Sequence, residues 1–269
     1  MPGIKVLLES KQKSGKTCFI LSACKLGPMA VADTEFAWHN YVMPHPSVPK
    51  RFTPKPHVKI MLGVPEADWP EIALLQSNDQ IRIKKFLEAA KDDPRIVTLG
   101  LDSASVLWDL ASSTVEGRQD WGRAKQPLRA LQYLALGSGK HYIFTAHLNP
   151  LFNDDMTKKI GEFPWSEKKD PHWADYELKL EFGPGMKAPR AIVIGERSGG
   201  RFRPGTVLKD CNFPSLLAIV GDAGDIQAGA ALDADEATYR AQVAQAAETP
   251  GAAFNNEEKG AADGKEKPA

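Results

Sequence analysis

The stretch that decides the fold of this 269-residue chain is IKVLLESKQKSGKTCFI, residues 4–20. A largely apolar, strand-like run is followed by a polar loop and then by Gly15, Lys16 and Thr17, which open an apolar helix-like segment. This layout is typical of a phosphate-binding loop, where backbone N–H groups and a lysine contact phosphate oxygens and a threonine hydroxyl ligates Mg²⁺. The predicted contact residues are Ser10, Lys11, Gln12, Lys13, Ser14, Gly15, Lys16, Thr17 and Cys18.

The first position of this loop departs from the usual motif. A glycine is expected there, and this chain has Ser10. Glycine adopts backbone angles that a serine tolerates only at a cost, so the sequence predicts that Ser10 must accept the geometry of a glycine position. The tripeptide G-K-T alone is weak evidence, and the prediction depends on the strand-like run directly before it.

Charge is distributed unevenly along a chain whose net charge is zero. Residues 1–220 carry 30 basic and 24 acidic residues, a net charge of +6, whereas residues 221–269 carry 4 and 10, a net charge of −6. We expect one α/β domain over 1–220 and an acidic, Ala/Gly-rich tail over 221–269, with one short helix near 232–247 and disorder elsewhere. A basic body suits a polyanionic ligand, but an ordinary solvated surface is an open alternative.

The cysteines and the hydropathy pattern bear on the cellular compartment. Cys18, Cys24 and Cys211 form no C-x-x-C pair and no metal-ligand spacing with histidines, which is typical of reduced thiols. No signal peptide and no apolar run long enough to span a bilayer is visible, so no membrane partner is expected. We therefore expect a cytoplasmic protein, in the host bacterium's cytoplasm if a phage encodes it.

Strand-like and helix-like segments alternate through the body of the chain. Buried strands are predicted near residues 4–8, 29–33, 58–62, 96–101 and 142–146, and helices over 16–25, 80–90 and 128–136. The Pro-rich stretch 43–56 is predicted as a loop. Apolar strands alternating with helices indicate a mainly parallel sheet covered on both faces. Alternating strands after residue 176 indicate antiparallel additions at one edge.

Four polar clusters come at strand ends: the phosphate-binding loop, Asp33-Thr34-Glu35, Asp102-Ser103 and Thr145-Ala146-His147. Ligands of open α/β sheets bind at the carboxyl ends of strands, so these clusters are predicted to meet in one site. Thr17 and Asp102 are the candidate Mg²⁺ ligands, although Asp102 also suits a helix N-cap. Glu35 is a candidate general base, with a surface carboxylate as the alternative. His147 is a candidate either for sensing the γ-phosphate or for coupling the site to the loop that follows, with a hydrogen-bonded structural histidine as the alternative.

The order of these four clusters resembles the ATPase core of RecA-type recombinases and, more closely, the RecA-like nucleotide-binding proteins of bacteriophages, some of which anneal single strands in recombination. The resemblance covers residues 3–210. It implies a RecA-like P-loop NTPase core with ATP and Mg²⁺ as cofactors, Glu35 activating water, and Asp102 serving the metal. Recombinases usually have a glutamine where His147 stands, whereas the phage-type proteins often have T-A-H. Lys16, Glu35 and His147 are thus the expected catalytic residues.

The resemblance also implies that the loops after the third and fourth clusters, residues 112–127 and 148–175, contact single-stranded DNA. Both interleave aromatic and basic residues, as sequence-tolerant single-strand binders do. The second loop has a net charge of −2, so an ordinary surface loop is an open alternative. The candidate strand-binding residues are Arg118, Trp121, Arg123, Lys125, Lys158, Lys159, Trp165 and Trp173.

A glycine-rich run, GERSGGRFRPG, carries Arg197, Arg201 and Arg203. These residues are candidates for an arginine finger that reaches a neighbouring subunit's ATP, and a solvated turn is the alternative. We further expect a homo-oligomer and, as another partner, a single-stranded-DNA-binding protein. The predicted function is ATP binding and hydrolysis coupled to single-stranded DNA in phage recombination or annealing. A nucleotide-binding regulatory module with little turnover and a small-molecule kinase are the alternatives.

Overall fold

The computed structural model describes residues 3–65, 68–153, 156–167, 170–182, 186, 188–197, 202–208 and 210–221. The strands are β1 (Lys5–Ser10), β2 (Met29–Asp33), β3 (Val42–Pro44), β4 (Phe52–Pro54), β5 (Ile72–Gln76), β6 (Thr98–Asp102), β7 (His141–Phe152), β8 (Lys159–Trp165), β9 (Tyr176–Glu181), β10 (Arg190–Glu196) and β11 (Val207–Leu208). The α-helices are α1 (Lys16–Ser22), α2 (Pro56–Leu62), α3 (Gln80–Asp92), α4 (Ala104–Ser112), α5 (Trp121–Leu136), α6 (Asp170–Trp173) and α7 (Phe213–Gly221).

These strands form one sheet in the order β11-β10-β9-β1-β7-β6-β2-β5-β4-β3, and β8 pairs with β7. The central strands, from β9 to β5, are parallel, whereas β10 and β11 at one edge and β3 and β4 at the other are antiparallel. The predicted α/β class with a mainly parallel sheet is confirmed. Antiparallel strands were expected at one edge only, and the second edge lies in the Pro-rich stretch predicted as a loop.

Helices cover both faces of the sheet, because strands such as β1, β2 and β6 carry buried side chains on both of their faces. Along β1, Val6 and Leu8 pack into one core with Phe19 of α1 and Phe213 of α7. The alternate residue, Leu7, packs into a second core with the buried faces of α3, α4 and α5. Successive side chains of a strand point to opposite faces, so a strand buried on both sides carries no polar alternation. The predicted two-sided covering is confirmed.

Three further predicted segments differ from the observed elements. The stretch 58–62, predicted as a strand, lies in helix α2. This helix begins at Pro56 and ends at Leu62, and Gly63 caps it in the left-handed conformation (φ 65°). Proline at the first helical position and glycine just past the end are helix signals that outweigh a short apolar run. The loop predicted over 112–127 contains the start of α5, which includes Pro127. The loop predicted over 148–175 contains the end of β7, all of β8 and α6.

The chain divides into a larger unit, residues 1–149 with 162–230, and a second unit that includes residues 150–161. Within residues 150–161, the backbone N–H of Asn153 donates to the carbonyl of Lys158, and the N–H of Lys158 donates to the Asn153 side chain. Among the described helices, none combines the length and apolarity that a bilayer-spanning segment needs. The predicted tail helix near 232–247 and the rest of residues 222–269 lie outside the described residues.

Candidate nucleotide-binding site

The predicted phosphate-binding loop connects β1 to α1 at the carboxyl end of the sheet. Gly15 has φ 90°, and Lys13 has φ 61°. A side chain at Gly15 would be strained in this left-handed conformation, and its Cβ would lie 3.0 Å from Pro189. Ser10 is instead the last residue of β1 and pairs in register with His147 on β7. The prediction that Ser10 must accept a glycine-like conformation is therefore wrong, because the left-handed angles fall on later residues of the loop.

Lys16 is turned back into the loop and is only 6% exposed. Its ammonium Nζ lies 3.2 Å from the Ser10 hydroxyl, 3.1 Å from the Lys11 carbonyl oxygen and 3.2 Å from Nδ1 of His147. Burial lowers the pKa of Lys16, and the charges of Asp102 and Glu35 oppose that effect. The Ser10 hydroxyl and the Lys11 carbonyl are neutral acceptors. A phosphate oxygen would replace them with hydrogen bonds in which both the donor and the acceptor are charged, which are stronger.

His147 connects this lysine to the candidate general base. Its Nε2 lies 2.5 Å from Oε1 of Glu35, while its Nδ1 faces Lys16. A neutral imidazole with its proton on Nε2 satisfies both contacts, since Nδ1 then accepts from the ammonium and Nε2–H donates to the carboxylate. Burial acts to raise the pKa of Glu35, but the hydrogen bond from His147 and the charge of Lys16 lower it overall.

Asp102 is the centre of the metal side of the site. Its carboxylate accepts from the hydroxyl of Thr17 at 2.8 Å, the hydroxyl of Thr145 at 2.7 Å and the indole Nε1 of Trp38 at 2.9 Å. Burial raises the pKa of Asp102, and the hydrogen bonds from Thr145, Thr17 and Trp38 oppose the increase. The two predicted Mg²⁺ ligands are thus brought into direct contact, although their sequence positions differ by 85.

The donor set fits Mg²⁺ better than a metal that needs a complete protein cage. Among the described residues, no group of three or more His, Cys, Asp or Glu side chains could hold a metal. Mg²⁺ is usually held by one or two protein oxygens together with phosphate oxygens and water. Thr17 and Asp102 supply such oxygens beside the phosphate loop.

The Asp33-Thr34-Glu35 cluster divides into two structural residues and one that faces the site. The buried carboxylate of Asp33 accepts from the backbone N–H groups of Glu35 and Trp38 and from the amide of Gln76. The Thr34 hydroxyl donates to the Ser103 carbonyl at 2.9 Å and accepts from the Ser103 N–H at 2.7 Å. These bonds hold the turn that places Glu35 opposite His147.

A cavity of about 1210 Å³ adjoins the loop. Residues 12–18 line one side together with Glu35, Asp102 and His147. The rest of the lining comes from side chains near the ends of β9 to β11 and from the segment before α7, including Phe182, Pro189, Arg190, Asp210 and Asn212. The size and the mixed polar and apolar lining of the cavity suit a nucleotide whose phosphates lie at the loop.

No protein-family model matches the sequence, and no curated protein matches it. Solved structures with a similar fold include the RadB recombinase, which is 15% identical over 77% of this chain and 86% of that chain, with a TM-score of 0.48. A KaiC-like protein from the hyperthermophilic archaeon Pyrococcus horikoshii is 13% identical over 76% of this chain and 83% of that chain, with a TM-score of 0.47. The function proposed below rests on the geometry of the site.

The candidate strand-binding aromatic residues make contacts within the chain. Trp121 lies on α5 and stacks on Trp108, with ring centroids 5.6 Å apart. Trp165 donates its indole N–H to Asp109, and Trp173 packs edge-on against Tyr133 at 5.1 Å. The expectation that Trp121, Trp165 and Trp173 lie on loops is wrong for each of them, because α5, β8 and α6 contain them.

The candidate strand-binding cations have different environments. Lys125 lies between the Trp108 and Trp121 rings and Glu167, whose carboxylate is 3.5 Å away. Arg123 is exposed on α5, and Lys158 and Lys159 are exposed in the second unit. The backbone of Arg118 lies in a short 3-10 helix, Arg118–Asp120. Whether these residues bind DNA stays a prediction.

The candidate arginine fingers lie around β10 and β11. Arg197 donates to the backbone carbonyl of His172 and lies 2.7 Å from the His172 ring nitrogen. Arg203 is exposed in a turn, where its carbonyl accepts from the backbone and the hydroxyl of Thr206. Arg201 lies outside the described residues. The finger role stays a prediction for all three arginines.

Sequence reasoning missed Trp38 and Thr145 as donors to Asp102. Thr145 belongs to the T-A-H cluster, so its strand-end position was a usable signal. Trp38 has no comparable signal, because nothing in its neighbourhood indicates that its indole reaches a strand 64 residues further along the chain.

Proposed function

We propose that this chain binds ATP with Mg²⁺ and hydrolyses it, and that turnover is coupled to single-stranded DNA in recombination or strand annealing of the bacteriophage type. The observation that supports the proposal most is the connected set Lys16, His147 and Glu35 beside Thr17 and Asp102. One cavity therefore holds a phosphate-binding cation, a candidate base and a metal-binding pair.

The chemistry follows from the positions of these side chains. When bound, Mg²⁺ neutralises charge on the β- and γ-phosphates. Lys16 adds positive charge to the same oxygens. The Glu35 carboxylate accepts a proton from the attacking water. At the same time the water oxygen bonds to the γ-phosphorus, and the bond between the γ-phosphorus and the oxygen that leaves with ADP breaks. His147 orients the Glu35 carboxylate. Because the same imidazole also contacts Lys16, a movement of Lys16 changes that orientation.

A nucleotide-binding regulatory module with little turnover is the second candidate. The observation that favours it is the 2.5 Å contact between Glu35 and His147, which occupies one oxygen of the candidate base. Phosphate release measured with and without single-stranded DNA separates the two functions. Turnover that rises with DNA supports the first function, and tight ATP binding without turnover in either condition supports the second.

Nucleotide binding itself is tested by Lys16→Ala. We expect ATP affinity to fall by about 10- to 100-fold, because a hydrogen bond to a charged group contributes about 1.5–3 kcal/mol. Titration calorimetry measures the affinity, and thermal melting shows whether the variant is folded. Lys84→Ala on the exposed face of α3 is the matched control and should bind ATP like the wild type. Equal affinity for Lys16→Ala and wild type would refute the phosphate-binding loop.

A further inference from the structure

Residues 36–65, named here the basic segment, contain no aspartate or glutamate. At the average density of acids in this chain, a stretch of that length would hold about three or four. The segment carries Lys50, Arg51, Lys55 and Lys59 together with His39, His45 and His57. It begins directly after Glu35 and comprises β3, β4 and α2.

Two of its four cations are used within the fold. Arg51 lies 2.9 Å from the carboxylate of Glu71 and 3.6 Å from that of Asp93. Lys59 is buried, with its ammonium 3.3 Å from the centre of the Trp69 ring. Lys50 is exposed, Lys55 is half-buried, and among the described residues neither has an ion-pair partner. These two lysines therefore leave uncompensated positive charge on the surface.

The same region exposes large apolar and aromatic side chains. Phe36 is 47% exposed, Ile60 80%, Met61 59% and Trp69, which follows the segment, 43%. Binders of single-stranded nucleic acid combine cations that track the phosphates with rings on which bases stack. Trp69 already holds Lys59 over its ring and lies edge-on to His45, as Trp121 and Trp165 have partners on α5 and β8. Phe36 differs from these tryptophans, because it has no ring contact among the described residues.

The basic segment is also tied to the nucleotide site. Trp38 donates its backbone N–H to Asp33 and its indole N–H to Asp102. Tyr41, Met61 and Leu62 line the same cavity as Lys16 and Glu35. A ligand that displaces the segment would therefore shift the Trp38 indole and its hydrogen bond to Asp102. It would also shift Glu35, which directly precedes the segment in the chain.

We propose that the basic segment is a contact surface for single-stranded nucleic acid, and that strand binding there is transmitted to the nucleotide site through Trp38 and Glu35. The inference deepens the proposed function, on which its link to ATP turnover rests. Uncompensated lysines select a polyanion, and the exposed rings favour unpaired bases over a regular duplex, whose bases are stacked on each other.

The test compares two double variants of the full chain by fluorescence anisotropy with a labelled oligo-dT at several salt concentrations. Each lysine that neutralises a phosphate contributes about 0.7 to the slope of log affinity against log salt for a single strand. Lys50→Gln with Lys55→Gln should therefore reduce the slope by about 1.4. Lys84→Gln with Lys85→Gln makes the same charge change on the exposed face of α3 and should leave the slope unchanged. Thermal melting checks the folding of both.

The outcomes separate this inference from the proposed function. A slope that stays at the wild-type value in the Lys50 and Lys55 variant places the strand elsewhere and overturns the inference, while DNA-coupled turnover stands. A wild type that binds ATP by calorimetry but no oligo-dT at low salt overturns the inference and the DNA part of the proposed function together. If Ile60→Ser changes the oligomeric state in sedimentation while the lysine variant keeps the wild-type slope, the surface is a contact between copies, and the inference is wrong.

Discussion

At the scale of single residues, His147 places its two ring nitrogens against Lys16 and Glu35, which lie 131 and 112 positions away in the chain. A phosphate that draws Lys16 toward its oxygens removes one of these contacts. The imidazole then keeps only its contact with Glu35, so the orientation of the Glu35 carboxylate changes when nucleotide binds. This arrangement provides a direct physical link between phosphate binding and the orientation of the candidate base.

The role of Glu35 is tested by Glu35→Gln. The amide keeps the size of the side chain but does not accept a proton from water, so we expect retained ATP affinity and a loss of about 10²–10⁴-fold in turnover. Phosphate release and calorimetry measure the two quantities. Glu88→Gln, on the exposed side of α3, is the matched control and should change neither. Unchanged turnover in Glu35→Gln would show that Glu35 is an ordinary surface carboxylate.

At the scale of elements, neighbouring strands β1 and β9 place two carboxyl groups on one face of the sheet. Glu9 is buried, and burial followed by the charge of Glu177 raises its pKa well above the usual range. Burial raises the pKa of Glu177 to about 7. Lys179, the register partner of Glu9, opposes the shift in Glu9. The strand pairing therefore brings together acids that are protonated more readily in the folded chain than in the unfolded one.

This pair predicts a pH-dependent stability. The pKa of Glu177 is higher in the folded chain than in the unfolded one, so the folded state holds the proton more tightly. The stabilisation that this proton gives to the folded state is complete below about pH 4.5 and is lost as the pH rises through 7. The wild type should lose free energy of unfolding between pH 5 and pH 8. In Glu177→Gln we expect this loss to be smaller by about 1–3 kcal/mol, because glutamine does not ionise. Urea denaturation at both pH values measures it.

The control for this prediction is Glu116→Gln, an exposed carboxyl that should keep the wild-type pH dependence. If wild type and Glu177→Gln lose the same free energy of unfolding between the two pH values, Glu177 ionises in the folded chain as it does in the unfolded one, and the assignment is wrong.

At the scale of the whole molecule, a body with a net charge of +6 is joined to a C-terminal segment with a net charge of −6. Opposite charges on one chain attract each other at low ionic strength, and salt screens that attraction. A polyanion that binds the body must therefore compete with the acidic residues of 221–269.

Removing residues 222–269 should tighten oligo-dT binding at low salt and have little effect at high salt, because only the electrostatic competition is lost. Anisotropy titrations at two salt concentrations measure the change. The control is a full-length chain in which the ten acids of this segment are replaced by Gln or Asn. This segment then carries four basic residues and no acids, so the variant should bind at least as tightly as the truncated chain. Wild-type affinity in this variant would attribute the effect to the bulk of the segment and not to its charge.

The sequence alone determined the parts of this protein that depend on local pattern. The phosphate-binding loop follows from a strand-like run before Gly15-Lys16-Thr17, and the parallel sheet follows from strands that are apolar on both faces. Helix α3 was predicted over 80–90 and is observed as Gln80–Asp92, with Asp79 capping it through the N–H groups of Ile81 and Arg82. Each of these features is determined by a short stretch of sequence, no longer than one strand or a few helical turns.

Only the tertiary structure decided which side chains meet. The indole of Trp38 reaches Asp102, and Glu35 meets His147, because the strand order places the carboxyl ends of β2, β6 and β7 side by side in the middle of the sheet. Strand β5 and the β3–β4 edge were missed, since short strands take their stability from their neighbours rather than from their own composition. A contact between residues far apart in sequence produces no periodic pattern in the sequence around either residue. The partner of each residue is therefore known only from the structure of the whole sheet.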